Sequence, residues 1–423
     1  MRSRRVAIAV ALSIGLLASA CGGDDRSMSS DATTGVVDTI APVVTEAPGT
    51  TAAVDTTAAP SPSCTPPAGR VPLEATDVGN DRDWDIVSFD GTVIRAHWFP
   101  VGGGSAEAPA PTVLMGPGWG SAGDVNVDSP GFLGAISIAT LRDNGYNVLT
   151  WDPRGFGEST GTAQVDSPQF EGRDIQQLID FVGARPEALL DADGDPRMGM
   201  VGASYGGGAQ FIAAGTDCRV DAIVPIIAWN SLGTSLFKGD VPKIGWANLL
   251  MVAAQAGGGE LDPTVTQASA SANATGTFTE ADAQWFLDRG PGELVGDITV
   301  PTLIIQGTVD TLFTLDEAVA NYRLLREAGT EVSMLWYCGG HGVCLTDPGE
   351  PALIDESAIA WLDRYVQGDT SAAAVPGFGT LDQFGQLHIG DEYPSADGAP
   401  ITASGTGTLE LVADGGAGPA TPT

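Results

Sequence analysis

The side chains best placed to do chemistry sit in Met198-Gly-Met-Val-Gly-Ala-Ser-Tyr-Gly-Gly-Gly208, where an apolar strand pattern runs into Gly202-Ala-Ser204-Tyr-Gly206. A serine on a sharp strand-to-helix turn exposes its hydroxyl, and glycines two before and two after it lack the Cβ that would collide there. Helical composition follows in Gln210-Phe-Ile-Ala-Ala214, so the turn stands where a nucleophile requires it. A hydroxyl attacks only when a base removes its proton. The chain has three histidines. His97 lies in an early strand pattern and reads as structural, and His388 lies in a C-terminal hairpin pattern and reads as a surface residue. His341, in Gly339-Gly-His-Gly342 after the last strand of the alternating region, is the expected base. Asp310, in Gln306-Gly-Thr-Val-Asp310 one strand earlier, is the expected orienting carboxylate. In chain order the three are Ser204, Asp310 and His341, each just past a strand pattern.

An acyl transfer centre also needs two N–H donors for the developing oxyanion. The residue after the nucleophile, Tyr205, supplies one. The turn Gly116-Pro-Gly-Trp-Gly-Ser121 should supply the other from Trp119. Two further motifs read as structural. In Asp152-Pro-Arg-Gly-Phe-Gly-Glu-Ser-Thr-Gly161, Asp152 and Arg154 are expected to pair and brace the loop beside Ser204. Asp191-Ala-Asp-Gly-Asp195 begins like a calcium loop, but Pro196 and Gly202 stand where that pattern needs Gly and Glu. No metal and no organic cofactor is expected.

These residues need a sheet to hold them. Asp83 to Phe89 and Thr92 to Trp98 alternate at period two around Asp90-Gly91, a hairpin signal. Strand patterns follow at Thr112 to Met115, Asn147 to Trp151, Met198 to Val201, Ala222 to Ala228, Thr302 to Gln306 and Val332 to Tyr337. Helical patterns lie between most of them, at Leu133 to Asn144, Phe170 to Val182, Tyr205 to Ala214 and Leu315 to Ala328. Such alternation implies an α/β fold with a mainly parallel sheet and helices on both faces. The interval of about 229–300 breaks the pattern with helical, Gly/Ala-rich sequence and is expected to form a helical lid. Phe378 to Tyr393 reads as a hairpin and Thr408 to Val412 as a short strand.

The N-terminus differs in kind. Arg2, Arg4 and Arg5 precede an apolar run from Val6 to Leu17 and then Ala18-Ser-Ala-Cys21, a secretory signal too short to span a bilayer. It looks like a bacterial lipoprotein signal with Cys21 as the lipidated residue; the alternative is an ordinary cleaved signal with an incidental cysteine. Residues 21–70, rich in Ala, Thr, Pro and Ser and free of aromatics, read as a disordered tether. The expected organisation is thus a signal over 1–20, the tether, a catalytic domain over 71–367 and a short β-rich extension over 368–423, placed outside the cytoplasm and anchored to the cell membrane. Formal net charge is −34 before the signal's arginines are lost, which makes nucleic acid and bare anionic lipid poor partners. Disulfides persist in an exported chain. Cys338 and Cys344 bracket the His341 loop and are expected to pair, which leaves Cys64 with Cys218 by elimination.

Together, Asp152-Pro-Arg-Gly-Phe-Gly-Glu-Ser, Gly-Ala-Ser204-Tyr-Gly-Gly and Gly-Thr-Val-Asp310 resemble the X-prolyl dipeptidyl-peptidase and cocaine esterase-like branch of the α/β-hydrolases, over about Asp83 to Gln367. The resemblance implies the triad Ser204, Asp310 and His341 with Tyr205 and Trp119 as the oxyanion hole. Members that cleave peptides or esters usually add a large C-terminal β-sandwich, whereas only residues 368–423 follow here. The expected activity is a serine hydrolase acting on a small-molecule or peptide acyl substrate through an acyl-enzyme on Ser204. An acyltransferase with the same triad and a non-catalytic binding protein on a hydrolase scaffold are the alternatives.

Overall fold

A computed structural model describes residues 64, 66–102, 104–131 and 136–395. The signal, Cys21, most of the tether and the strand pattern at Thr408 lie outside the described residues. The chain opens with β1 (Ala75–Asp77), β2 (Asp83–Val87) and β3 (Val93–Phe99). Next come β4 (Thr112–Gly116), α1 (Ile138–Asp143), β5 (Asn147–Trp151) and α2 (Glu171–Gly183). A small hairpin, β6 (Leu190–Ala192) and β7 (Asp195–Pro196), precedes β8 (Met198–Ala203), α3 (Tyr205–Thr216) and β9 (Ala222–Ile226). Four helices then interrupt the alternation: α4 (Leu232–Leu236), α5 (Ile244–Ala256), α6 (Pro263–Thr275) and α7 (Glu280–Leu287). It resumes with β10 (Thr302–Gly307), α8 (Leu315–Ala328), β11 (Val332–Tyr337) and α9 (Leu353–Leu362), and the described part closes on β12 (Phe378–Leu381) and β13 (Leu387–Gly390).

One sheet runs in the order β1-β2-β3-β5-β4-β8-β9-β10-β11-β12-β13. From β5 to β12 every pairing is parallel, and the antiparallel pairs are at the two edges. Strands β4, β5, β8, β9 and β10 are buried at every position, as a sheet covered on both faces demands. One apolar layer packs α2, α3 and α8 on one face, through Ile175, Leu178, Phe211 and Val319. The other packs α1 and α9 on the opposite face, through Ile138, Leu141, Trp361 and Leu362. A third layer, which includes Trp229, Val265, Phe278 and Phe286, lies between the lid helices and the ends of the strands. This is the α/β-hydrolase fold with a helical lid. The chain winds from β4 outward to β5 and back across to β8, so β4 and β8 border the crevice where such sheets bind ligands.

The expected elements shift by a few residues at their ends, and the structure adds to or departs from the sequence reading in several places. Helix α9 and strand β1 were not expected. Asp191-Ala-Asp-Gly-Asp195 is the β6–β7 hairpin, turning at Gly194 with φ 72°. Arg154 does not pair with Asp152. Its guanidinium grips Asp174 through Nε and Nη2, both at 2.7 Å, and reaches Asp90 at 3.0 Å. Asp152 instead accepts from the amides of Gly123 and Glu158 and faces His97 Nε2 at 3.3 Å. The fork geometry of a buried guanidinium favours a bidentate carboxylate, which Asp174 on α2 offers and a residue two positions away does not.

Candidate active site

Ser204 stands between β8 and α3 with φ 55° and ψ −114°, a backbone state that non-glycine residues rarely hold. Its amide donates to the Ile226 carbonyl, and its own carbonyl accepts from Gly207 and Gly208. The turn fits against β4 with no room to spare: a Cβ on Gly206 would sit 2.3 Å from the Gly116 carbonyl oxygen. The spacing of glycines around the serine therefore follows from contact with the neighbouring strand.

Asp310 follows β10 on a turn whose amides point at its carboxylate. Its Oδ1 accepts from Leu312 and Phe313 N–H at 2.9 and 2.7 Å, and Gln306 Nε2 ties the turn to the Phe313 carbonyl. Its Oδ2 faces His341 Nδ1 at 2.7 Å and accepts from the His341 amide at 3.1 Å. An ionised carboxylate only accepts, so Nδ1 carries the proton and Nε2 presents its lone pair. That lone pair meets Ser204 Oγ at 2.9 Å. Residues from the ends of three strands, 137 and 31 positions apart in pairs, thus form one hydrogen-bonded line. The imidazole is held edge-on by Phe313, at 5.1 Å between centroids, and by Trp246 of α5, at 5.9 Å.

The His341 loop is closed by a Cys338–Cys344 disulfide, and Cys64 is joined to Cys218. His97 is buried between Asp83 and Asp152, and His388 is exposed against Asp382. Neither lies in the line with Ser204. Trp119 and Tyr205 border the same cavity as Ser204. The Trp119 ring lies against Phe156 and Tyr205 at 5.0 and 5.2 Å, and its Nε1 donates to the Leu250 carbonyl of α5 at 3.0 Å, which ties the loop after β4 to the lid.

Sequence reasoning missed a buried polar cluster behind Tyr205. The phenol donates to Glu171 Oε1 and accepts from the Asp166 amide, both at 3.3 Å. Glu171 also accepts from Gln164 and Ser167 N–H, at 2.6 and 2.9 Å. Burial, reinforced by Asp174, pushes Glu171 up to about 7. Burial and the nearby Glu171 hold Asp166 well above the ordinary carboxylate range, and its side-chain oxygens have no hydrogen-bond partner among the described residues. Val165 and Asp166 both have positive φ, 60° and 51°. The signal available in the sequence was Glu171, Asp174 and Gln177, polar residues at three-residue spacing on the helix face that also carries Ile175 and Leu178.

Residues 90–342, more than half of the chain, match the family model for X-Pro dipeptidyl-peptidase (S15 family). The chain belongs to this family. An uncharacterized 31.7 kDa protein of Escherichia coli, from the traX-finO intergenic region, is 34% identical over 131 residues, which cover 31% of this chain and 42% of that one. A CocE/NonD family hydrolase of Staphylococcus aureus superposes with a TM-score of 0.55 at 15% identity, covering 75% of this chain and 56% of its own. An alpha-amino acid ester hydrolase gives 0.55 at 15%, with 77% and 61% covered. Likeness at this level of identity shows the fold alone. The chain thus spans about two fifths to three fifths of the length of these relatives.

Proposed function

We propose that this S15 family member cleaves an ester or amide through an acyl-enzyme on Ser204. The observation that carries the reading is the Ser204–His341–Asp310 line opening onto a cavity. In the first step His341 Nε2 takes the Ser204 proton as Oγ bonds to the carbonyl carbon, and the carbonyl oxygen becomes an oxyanion. Main-chain N–H groups of Tyr205, at the start of α3, and of Trp119 are the donors assigned to it. Collapse of this intermediate breaks the bond to the leaving group, which receives the proton from Nε2. Water then attacks the acyl carbon, giving its proton to Nε2, and the acid departs as Ser204 regains its hydrogen. Asp310 fixes the tautomer and stabilises the imidazolium throughout.

The same reading places the enzyme outside the cytoplasm, held to the membrane by a lipid on Cys21. What supports this is the basic and apolar N-terminal pattern ahead of Ala18-Ser-Ala-Cys21, together with two disulfides in the domain. Turnover of p-nitrophenyl esters and p-nitroanilides by wild type and Ser204→Ala tests the chemistry: loss of all turnover above about a thousandth of wild type supports it, and retention of a tenth would refute it. Cys21→Ser tests the location, since the variant should leave the membrane fraction; a variant that stays bound contradicts the anchor.

A further inference from the structure

The cavity beside Ser204 bears on which acyl group the enzyme accepts, an inference that rests on the serine hydrolase reading above. It lies under the lid, has a volume of about 730 Å³ with its open mouth included, and is bordered by Ser204 but not by His341. The leaving group must face His341 Nε2 to receive its proton, and a cavity lined by Ser204, Tyr205 and Trp119 but not by His341 is the place left for the acyl part. Its walls are Leu232 and Leu236 of α4, Leu250 of α5, Val265 of α6, and Phe278 and Phe286 around α7. No Asp, Glu, Lys, Arg or His borders it among the described residues.

We propose that the acyl group of the substrate is an uncharged apolar chain seated under the lid, and that acyl groups with a free ammonium near the scissile carbonyl are excluded. An ammonium in this cavity would lose its water and find no counter-charge, a cost that apolar walls cannot offset. Two buried acids near Tyr205 do not supply one. Asp166 and Glu171 are 1% and 4% exposed, border a separate small cavity and stand behind the Tyr205 ring. Burial and the nearby Glu171 raise Asp166 well above the ordinary carboxylate range, which disfavours its charged form.

The proposal is tested on the full chain with two series. In the first, p-nitrophenyl acetate, butyrate and hexanoate share one leaving group. Each methylene buried should raise kcat/KM roughly fourfold, the equivalent of about 0.8 kcal/mol, so hexanoate should exceed acetate on the order of a hundredfold. The second sets methyl hexanoate against norleucine methyl ester, the same chain with an α-ammonium, and the former should be at least tenfold faster near neutral pH. Ala268→Phe, at a wall position that is 1% exposed, should lower the hexanoate-to-acetate ratio at least tenfold. A flat chain-length profile, or faster turnover of norleucine methyl ester, overturns the proposal. The two series alone decide if the variant does not fold. Ser204 mass adducts with an alkyl fluorophosphonate keep the outcomes apart. Labelled Ser204 with a preference for cationic acyl groups refutes only the acyl class, whereas unlabelled Ser204 refutes the catalytic reading beneath it.

Discussion

The two disulfides should have opposite balances of stability and catalysis. Cys338 and Cys344 are 6 positions apart and enclose His341. Closing so short a loop stabilises the fold by about 2 kcal/mol in the chain-entropy model, whereas the Cys64–Cys218 bridge, 154 positions apart, is worth about 5 kcal/mol in the same model. Catalysis should rank them the other way. Gly340 has φ 109°, and a Cβ on Gly342 would meet the Val309 carbonyl oxygen at 1.9 Å, so the loop lies pressed on the Asp310 turn. Two bonds to Asp310 Oδ2 hold His341 from one side, but Nε2 must also stay within reach of Ser204. A displacement of about 1 Å there costs on the order of a hundredfold in rate. The double variant Cys338→Ser, Cys344→Ser should therefore lose ten- to a hundredfold in kcat and about 2 kcal/mol in urea unfolding. The Cys64→Ser, Cys218→Ser variant should lose more stability and keep kcat within about threefold when folded. If the first variant keeps kcat within twofold, the contacts to Asp310 and Val309 alone position the base, and the reasoning is refuted.

Asp310→Asn should lower kcat by about 10³ to 10⁴ with little change in fold, because the Leu312 and Phe313 amides claim its carbonyl oxygen, so its NH2 faces His341 Nδ1 and imposes the other tautomer; a loss under tenfold in an ester assay would contradict that role. Gly206→Ala should lower both melting temperature and kcat, since the added methyl meets the Gly116 carbonyl at 2.3 Å, and unchanged values of both would show that the elbow has slack. Burial alone would lower the pKa of His97, but hydrogen bonds to Asp152 and Asp83 outweigh it and hold it above 6.5. Protons are then bound more tightly in the folded chain, so this stabilisation is complete below about pH 6.5 and fades as pH rises through the higher folded value. Wild type should lose more stability than His97→Gln between pH 6.5 and 8.5 in denaturant titrations, and parallel profiles would contradict the ion pairs.

Much of this arrangement was legible in the chain because local signals agreed. Strands such as Asn147–Trp151 and Val332–Tyr337 are apolar or β-branched but for Asn147 and Ser333, and α8 ends on Gly329 at φ 80°, where the pattern stops. Helix α9 was not, because no side chain caps its start at Ala352 and a Gly/Pro-rich loop precedes it. The three residues brought together at the site were legible from their place after strands. The partner of Arg154 was not, since the choice between Asp152 and Asp174 depends on how α2 packs under the Ser204 turn. For the same reason the Tyr205–Glu171 contact, made across 34 positions, could not be read from either segment alone.

Covalent labelling of the proposed nucleophile tests the central claim most directly. Wild-type protein treated with an alkyl fluorophosphonate should gain one adduct by intact mass, mapped to Ser204, with ester hydrolysis lost in proportion to labelling. Ser204→Ala should gain none. Hydrolysis that persists in fully labelled protein, or an adduct that maps to another serine while Ser204 stays free, would contradict the account.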